Sequence, residues 1–238
     1  MIRRKSNEAQ DKRLEEGLLR QRELIARAEA AGAMQCGWKA GFGSPAAQKR
    51  FALNAPLVGA LLNRTRLDPG TEISIGPWDN PRAEAEIAVL IGEGLDGNVT
   101  PDLAIQAVVG FAPAIELVDV YPVPESPSEA LSGNLFQRHW ATGDFAELPP
   151  GSGLSGLTAE VHATGSKIGP VGDVQELTGN AGETLSEIAR IGARQGRGLL
   201  RGDVVILGSI IAPVPIISGG DFRFTLSGHR TIALNFTD

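Results

Sequence analysis

The clearest chemical potential in this chain lies in carboxylates set among apolar neighbours. Glu84 and Glu86 stand two residues apart in Arg82-Ala-Glu-Ala-Glu-Ile-Ala-Val-Leu90. In a strand, alternate side chains share a face, so these two point the same way, with Cα atoms roughly 6–7 Å apart. Ala88 and Leu90 continue that face; Ala85, Ile87 and Val89 form the other. A solvated edge explains such a pair, and so does a bound cation, which removes the repulsion between same-face acids. Glu116 lies in Phe111-Ala-Pro-Ala-Ile-Glu-Leu-Val-Asp-Val120, where every nearby residue except Asp119 is apolar. A lone acid in a core-like strand must be paired, neutralised or metal-bound. A salt bridge to an arginine is one answer for Glu116; a shared cation is the other. Three carboxylates without His or Cys nearby describe a hard-cation site for Mg²⁺ or Mn²⁺, with positions left open for water and substrate.

Both carboxylate segments read as strands, over residues 83–91 and 109–120, and other elements must bring them together. Residues 8–33 lack Pro and are rich in Ala, Leu, Glu and Arg; Leu14, Leu18, Ile25 and Ala28, flanked by Leu19 and Ala26, give a partial helical stripe ending near Gly32. The stripe predicts packing or oligomer contact and carries no chemistry of its own. Cys36-Gly-Trp-Lys-Ala-Gly-Phe42 is a short strand between glycines, and Ser44-Pro45 supplies a cap and first-turn proline for a helix over residues 46–53. Thr100-Pro101-Asp102 starts another helix, to about residue 108. Residues 121–133 hold Pro122, Pro124 and Pro127 and are expected to form an irregular loop. Further strands are expected over residues 136–142, 157–163, 203–207 and 231–236, and a second long helix over residues 180–195 with Gly196 and Gly198 as stops. The last two of these strands are expected to close the sheet.

The bulk composition agrees with a strand-rich globular chain. It has 238 residues, 42% hydrophobic and 21% charged, with 30 Gly and 15 Pro. So many turn residues favour sheet over bundle. A net charge of −6 without a basic run beyond Arg3-Arg4-Lys5 argues against nucleic acid, which requires a clustered positive face. The basic start reads as a solvated terminus. Cys36 stands alone, so no intrachain disulfide or cysteine-based zinc site forms. No apolar stretch approaches a membrane span, and no apolar core follows the basic start, so a cytoplasmic protein without a membrane partner is expected. Absence of internal repeats and linkers leaves an α+β organisation: a helical segment, 1–35, and a single β-rich catalytic domain, 36–238.

Four segments, in order, resemble the fumarylacetoacetate hydrolase superfamily. Pro81-Arg-Ala-Glu-Ala-Glu-Ile-Ala88 resembles its metal-binding strand, and Pro113-Ala-Ile-Glu-Leu-Val-Asp119 the strand bringing the third carboxylate. Gly37-Trp-Lys-Ala-Gly-Phe42 is similar to the glycine–lysine–glycine segment of the 2-keto-4-pentenoate hydratase branch, which also contains decarboxylases. Leu200-Arg-Gly-Asp-Val-Val-Ile-Leu-Gly-Ser209 resembles the late strand ending beside the substrate. The resemblance implies the β-rich mixed sheet or roll of the family's C-terminal type, a homo-oligomer, and Mg²⁺ or Mn²⁺ held by Glu84, Glu86 and Glu116. It implies a small 2-oxo acid as substrate, chelated through its carboxylate and 2-oxo oxygen, with the metal acting as a Lewis acid to stabilise an enolate. Lys39 becomes the catalytic residue, transferring a proton or facing the substrate carboxylate. Asn134, Gly208 and Ser209 match positions near the substrate. The implied activity is that of a lyase, a hydratase or decarboxylase.

The chain departs from the hydratase pattern at two places. Gly59-Ala-Leu-Leu-Asn-Arg-Thr65 has Asn63 and Arg64 where that branch carries an acid, and residues 171–182 match its glycine-rich segment poorly. A decarboxylase has no water to add, so loss of that acid favours decarboxylation over hydration. Two alternatives stay open: a relative without catalysis that serves as a binding or assembly partner, and an acylpyruvate-type C–C hydrolase. The hydrolase branch uses a His–Glu pair in its N-terminal part, and no histidine precedes His139 here. His139 and His162 read as packed or surface residues, and His229 as exposed.

Overall fold

A computed structural model of the chain describes residues 2–227 and 231–238, with side chains from Lys12 onward. The side chains of Arg3, Arg4 and Lys5, and all of His229, lie outside the described residues. In chain order the elements begin with α1 (Ile2–Ala30), β1 (Gln35–Gly41), α2 (Pro45–Phe51), β2 (Leu57–Leu62), β3 (Arg66–Leu67) and β4 (Glu72–Ser74). The centre holds β5 (Pro81–Ile91), α3 (Pro101–Gln106), β6 (Val108–Asp119), α4 (Pro127–Ser132), β7 (Gln137–Thr142) and β8 (Ala146–Glu147). The chain ends through β9 (Ala159–Ala163), α5 (Ala181–Arg194), β10 (Val204–Ser209), β11 (Val214–Pro215), β12 (Asp221–Leu226) and β13 (Ile232–Thr237).

The larger sheet runs β2-β1-β10-β5-β6-β7-β3, with β11 added to β5 and β8 to β6. β1 runs parallel to β10 and β3 to β7; the other pairs are antiparallel. β2 and β3 are separated only by the 3-10 turn Asn63–Thr65, yet they lie at opposite ends of the strand order, so the sheet must curl round on itself. Trp140 of β7 closes the gap, its indole Nε1 donating to the Leu62 carbonyl at 3.0 Å. This is the curled mixed sheet expected from the sequence.

Curling gives the sheet two different faces. Inside lie Leu61, Ala88, Ala112, Ala114, Trp140, Val204 and Ile206, a small cluster in which alanines leave room for one large indole. Outside, Ala83, Ala85, Ile87, Val89, Ile115, Leu117, Val205 and Leu207 join the main core with Leu185, Ile188 and Ile191 of α5. β5 and β6 are therefore covered on both sides, which is why apolar residues occupy both of their alternating sets.

Local signals account for most helices. Ser44, Thr100 and Asn180 each accept a backbone N–H from the first turn of α2, α3 and α5, as caps with the right side-chain oxygen do. The N-terminal helix buries Leu14, Leu18, Gln21 and Ile25 while Leu19 is half exposed. It lies close on α4 at Gly17, where a Cβ would stand 2.5 Å from the Ser128 carbonyl oxygen. Leu14 and Leu18 belong to the main core.

Two expectations are corrected. Residues 121–133 are not wholly irregular: Ser126 caps α4, with Pro127 in its first turn and Glu129 returning to the Glu125 N–H at 2.8 Å. The prolines that suggested a loop include the one that starts the helix. The C-terminal strand does not close the main sheet either. β13 sits between β4 and β12 in a separate four-stranded sheet, β4-β13-β12-β9.

Candidate active site

β5 and β6 pair in a register that sets Glu84 directly opposite Glu116, with Glu86 opposite Ala114. All three carboxylates face the inside of the curl, above the alanines of the inner cluster. One carboxylate oxygen from each of Glu84, Glu86 and Glu116 lies within 4.8 Å of the others. Glu86 and Glu116 are each 1% exposed, and Glu84 is partly buried. The three acids selected from the sequence therefore converge.

Lys39 joins them from β1. It is 2% exposed and its Nζ forms an ion pair with Glu116 Oε1. The salt bridge considered for Glu116 exists, but to this lysine and not to an arginine. Gln137 Nε2 donates to the same oxygen at 3.0 Å, and the Leu135 carbonyl lies 3.5 Å from Lys39 Nζ. Lys39 faces Gly59 across the β1–β2 ladder, where a Cβ would stand 3.0 Å from Lys39 Cγ and 3.1 Å from Cε. The lysine stem thus lies flat across a glycine, and any larger residue would displace it.

Glu86 is held from β10. Gly208 N–H donates to Glu86 Oε2 at 2.8 Å, and Ser209 Oγ to the Ala85 carbonyl at 3.3 Å. A register shift after Ile206 and a φ of 109° at Gly208 turn this N–H inward. That is a left-handed backbone which glycine adopts without a Cβ penalty. Asn134 is buried and serves β2: its Oδ1 accepts from Ala60 N–H at 2.8 Å and its Nδ2 donates to the Ala60 carbonyl at 2.9 Å.

Charge balance makes this cluster costly unless a cation is present. Burial, reinforced by the charge of Glu116, pushes the Glu84 carboxyl up to about 7. Burial first, then Glu116 and Glu84, pushes Glu86 well above the ordinary carboxylate range. The single ammonium of Lys39 faces three acids, and its charge is already engaged by Glu116. Glu86 Oε1 is buried without a hydrogen-bond partner among the described residues. A buried carboxylate oxygen with no donor is expensive, and a divalent cation among three hard oxygen ligands answers both problems. The residues present fit such an ion.

Other sequence candidates are placed elsewhere. Asn63 Oδ1 caps the Met34 N–H at 2.9 Å, ahead of β1. His139 stacks on Trp78 on the outer side of the sheet, with burial lowering its pKa, and His162 is exposed beside Asp221 at 3.7 Å. Gln137 gives no signal in the sequence. A register shift between β6 and β7 turns it toward Glu116, and strict alternation hides such a turn. A cavity of about 450 Å³, lined by Gly43, Pro56, Thr178, Gly179, Glu187 and Arg190 among others, does not contain the carboxylates; Thr178 in its wall lies 3.7 Å from where a Cβ on Gly208 would stand.

A curled mixed sheet presenting three convergent acids and a buried lysine defines a class of protein, and comparison identifies it. The model of the fumarylacetoacetate hydrolase C-terminal family matches residues 28–229, and the chain belongs to this enzyme family. Among curated proteins it is 29% identical over 222 residues to a 4-oxalocrotonate decarboxylase from Pseudomonas sp., covering 88% of this chain and 86% of the relative. It is 28% identical over 218 residues to the TodF product hydratase of Pseudomonas putida F1, covering 88% and 79%. A solved 4-oxalocrotonate decarboxylase from Pseudomonas putida G7, complexed with magnesium and adipate, superimposes with a TM-score of 0.83 at 24% identity, over 91% of this chain and 83% of that one. The family resemblance and the fold read from the sequence are borne out.

Proposed function

We propose that this enzyme is a divalent-metal-dependent lyase that hydrates or decarboxylates a small 2-oxo acid through its enolate. One observation carries the reading: three carboxylates, two of them buried and Glu84 partly so, converge beside a buried lysine, with one carboxylate oxygen left without a donor. Near-full-length similarity to a decarboxylase and a hydratase supports the same two reactions.

Glu84, Glu86 and Glu116 would hold Mg²⁺ or Mn²⁺, which when bound supplies Lewis acidity for a 2-oxo group. The chain's own groups do the rest. Lys39 keeps a donor and a positive charge beside Glu116, placed to receive a substrate carboxylate or to deliver a proton to the carbon that must be protonated after enolate formation. The Leu135 carbonyl accepts from that ammonium, and Gln137 holds the Glu116 oxygen with which it pairs. Gly208 and Ser209 form the wall beside Glu86, where the Ser209 hydroxyl, which donates to the Ala85 carbonyl, would face the substrate as an acceptor. Asn134 supports the opposite wall through Ala60. The alanine-rich interior beneath the acids excludes water, which strengthens each of these charge interactions.

Residues 36–238 supply every group named for this chemistry, and α1 packs against their core. We further assign the protein to the cytoplasm as a homo-oligomer; among the described residues no helix is long and apolar enough to cross a membrane. Light scattering on the purified chain reads the oligomeric state directly. The functional test is calorimetry with oxalate, a chelating mimic of a 2-oxo acid enolate, with and without Mg²⁺ or Mn²⁺. Binding only in the presence of metal is expected, followed by turnover of 2-oxo dienoic acids. Absence of oxalate binding with either metal would sink the assignment and leave the protein as a binding or assembly partner.

A further inference from the structure

We infer that Gln21, in the N-terminal helix, is a positioning residue for the Lys39–Glu116 pair, acting through the turn at residues 134–136; this rests on the catalytic role proposed for Lys39. Gln21 is 1% exposed, a polar side chain on the stripe that α1 buries through Leu14, Leu18 and Ile25. Its Nε2 donates to the Val58 carbonyl at 3.1 Å and to Asn134 Oδ1 at 3.3 Å, and its Oε1 accepts from Gln195 Nε2 at 2.8 Å. Asn134 in turn grips both backbone groups of Ala60. A continuous chain of side-chain hydrogen bonds therefore runs from the end of α5, through α1, to the strand on which the lysine stem lies.

The turn reached by this chain is strained and lies against the site. Asn134, Leu135 and Phe136 have φ of 52°, 58° and 63°, three successive left-handed residues without a glycine. Such conformations are strained and persist only where surrounding contacts over-determine them. Leu135 offers its carbonyl to Lys39 Nζ, and Gln137, the first residue after the turn, donates to Glu116 Oε1. The same turn thus touches both members of the pair. Asn134 Oδ1 is also the atom that stands beside Gly59, where the lysine stem crosses. Relaxation of the turn would move the carbonyl facing Lys39, the donor to Glu116 and the surface under the lysine together. A glutamine that merely satisfied a helix face would have no reason to join Asn134 to Gln195.

The test uses the full chain with Gln21→Met, which keeps the volume and removes both hydrogen-bonding ends. Thermal unfolding establishes that the variant is folded. With Mn²⁺ and a 2-oxo acid substrate, kcat is expected to fall about tenfold or more, as small misplacements of reacting groups do. KM and oxalate affinity are expected to change less than kcat, because no proposed metal ligand is substituted. Asn134→Gly removes the carboxamide while tolerating the left-handed backbone, and adding Gln21→Met to it should cause no further loss, since both changes act along one path. A folded Gln21→Met variant with wild-type kcat, or losses that add in the double variant, would overturn the inference. Amide hydrogen exchange gives a readout independent of activity: Gln21→Met should speed exchange at residues 134–137. If the wild type neither binds oxalate nor turns over any 2-oxo acid, the lyase reading falls. Exchange at residues 134–137 then still decides the bracing role, and an unchanged rate would overturn it.

Discussion

At the scale of single residues the site is a charge problem. Lys39 and Glu116 are the most consequential pair, because each is buried and each is the other's counter-ion. Glu116→Gln keeps the side-chain shape and removes the charge of one proposed metal ligand, so metal-dependent oxalate binding and turnover are expected to vanish. From the sequence alone, little loss of folding is expected from this change. The structure adds a cost, since Lys39 would be left buried without its partner; breaking one side of such a pair costs roughly 3–5 kcal/mol. Adding Lys39→Met to Glu116→Gln should recover much of the thermal stability and none of the activity. Denaturant unfolding and oxalate calorimetry on the two variants check this. Equal stability of Glu116→Gln and wild type would refute the paired burial.

At the scale of elements, the β1–β2 ladder determines where the lysine lies. A methyl group at Gly59 would stand 3.0 Å from Lys39 Cγ and 3.1 Å from both Lys39 Cε and Asn134 Oδ1. Gly59→Ala therefore pushes on both the lysine and the turn that faces it. The expected outcome is a folded protein whose kcat falls by about tenfold or more, of the order that small misplacements of reacting groups produce. Metal affinity should change less than kcat, because two of the three proposed ligands, Glu84 and Glu86, lie on β5, beyond β10 from this contact, and only Glu116 pairs with the displaced lysine. Steady-state kinetics alongside metal titration separates the two; a variant with wild-type kcat would show that the lysine stem is free to move. The helices act more remotely, with α1 reaching the site through Gln21.

For the whole molecule, the acids couple stability to pH and to metal in opposite directions. Glu84 is raised from 4.5 to about 7 and Glu86 lies well above its ordinary value. The folded state therefore holds protons that the unfolded chain releases above about pH 4.5. The stability associated with these groups is present at low pH and falls as pH rises through about 7. Metal binding requires the ionised acids, so its apparent affinity should rise across that window. Melting curves from about pH 5 to about pH 8, which span it, should show the metal-free protein losing stability as pH rises. Mn²⁺ should restore stability most strongly at the alkaline end, and EDTA should reverse it. A pH-independent effect of Mn²⁺ would show that the three acids are not its ligands.

Much of this was legible in the residues themselves. Glu84 and Glu86 share a face because strand geometry alternates, and Glu116 stands out because an acid in an apolar strand needs a partner. Caps such as Ser44, Thr100 and Asn180 are local signals and could be read locally. The family resemblance linked Lys39 to the acids, and the fold bore out the curled sheet. What the chain order could not reveal is which strands become neighbours and where their registers slip. Placing Glu84 opposite Glu116, turning Gln137 and the Gly208 N–H inward, and assigning β13 to a second sheet all depend on pairings between distant segments. Gln21 lies furthest from view: in the sequence it is one polar residue of a helical stripe, and only the packing of α1 joins it to Asn134. Alternation and capping are properties of short segments, so the sequence alone determined them; register, bulges and buried hydrogen bonds arise from long-range closure, and only the tertiary structure decided those.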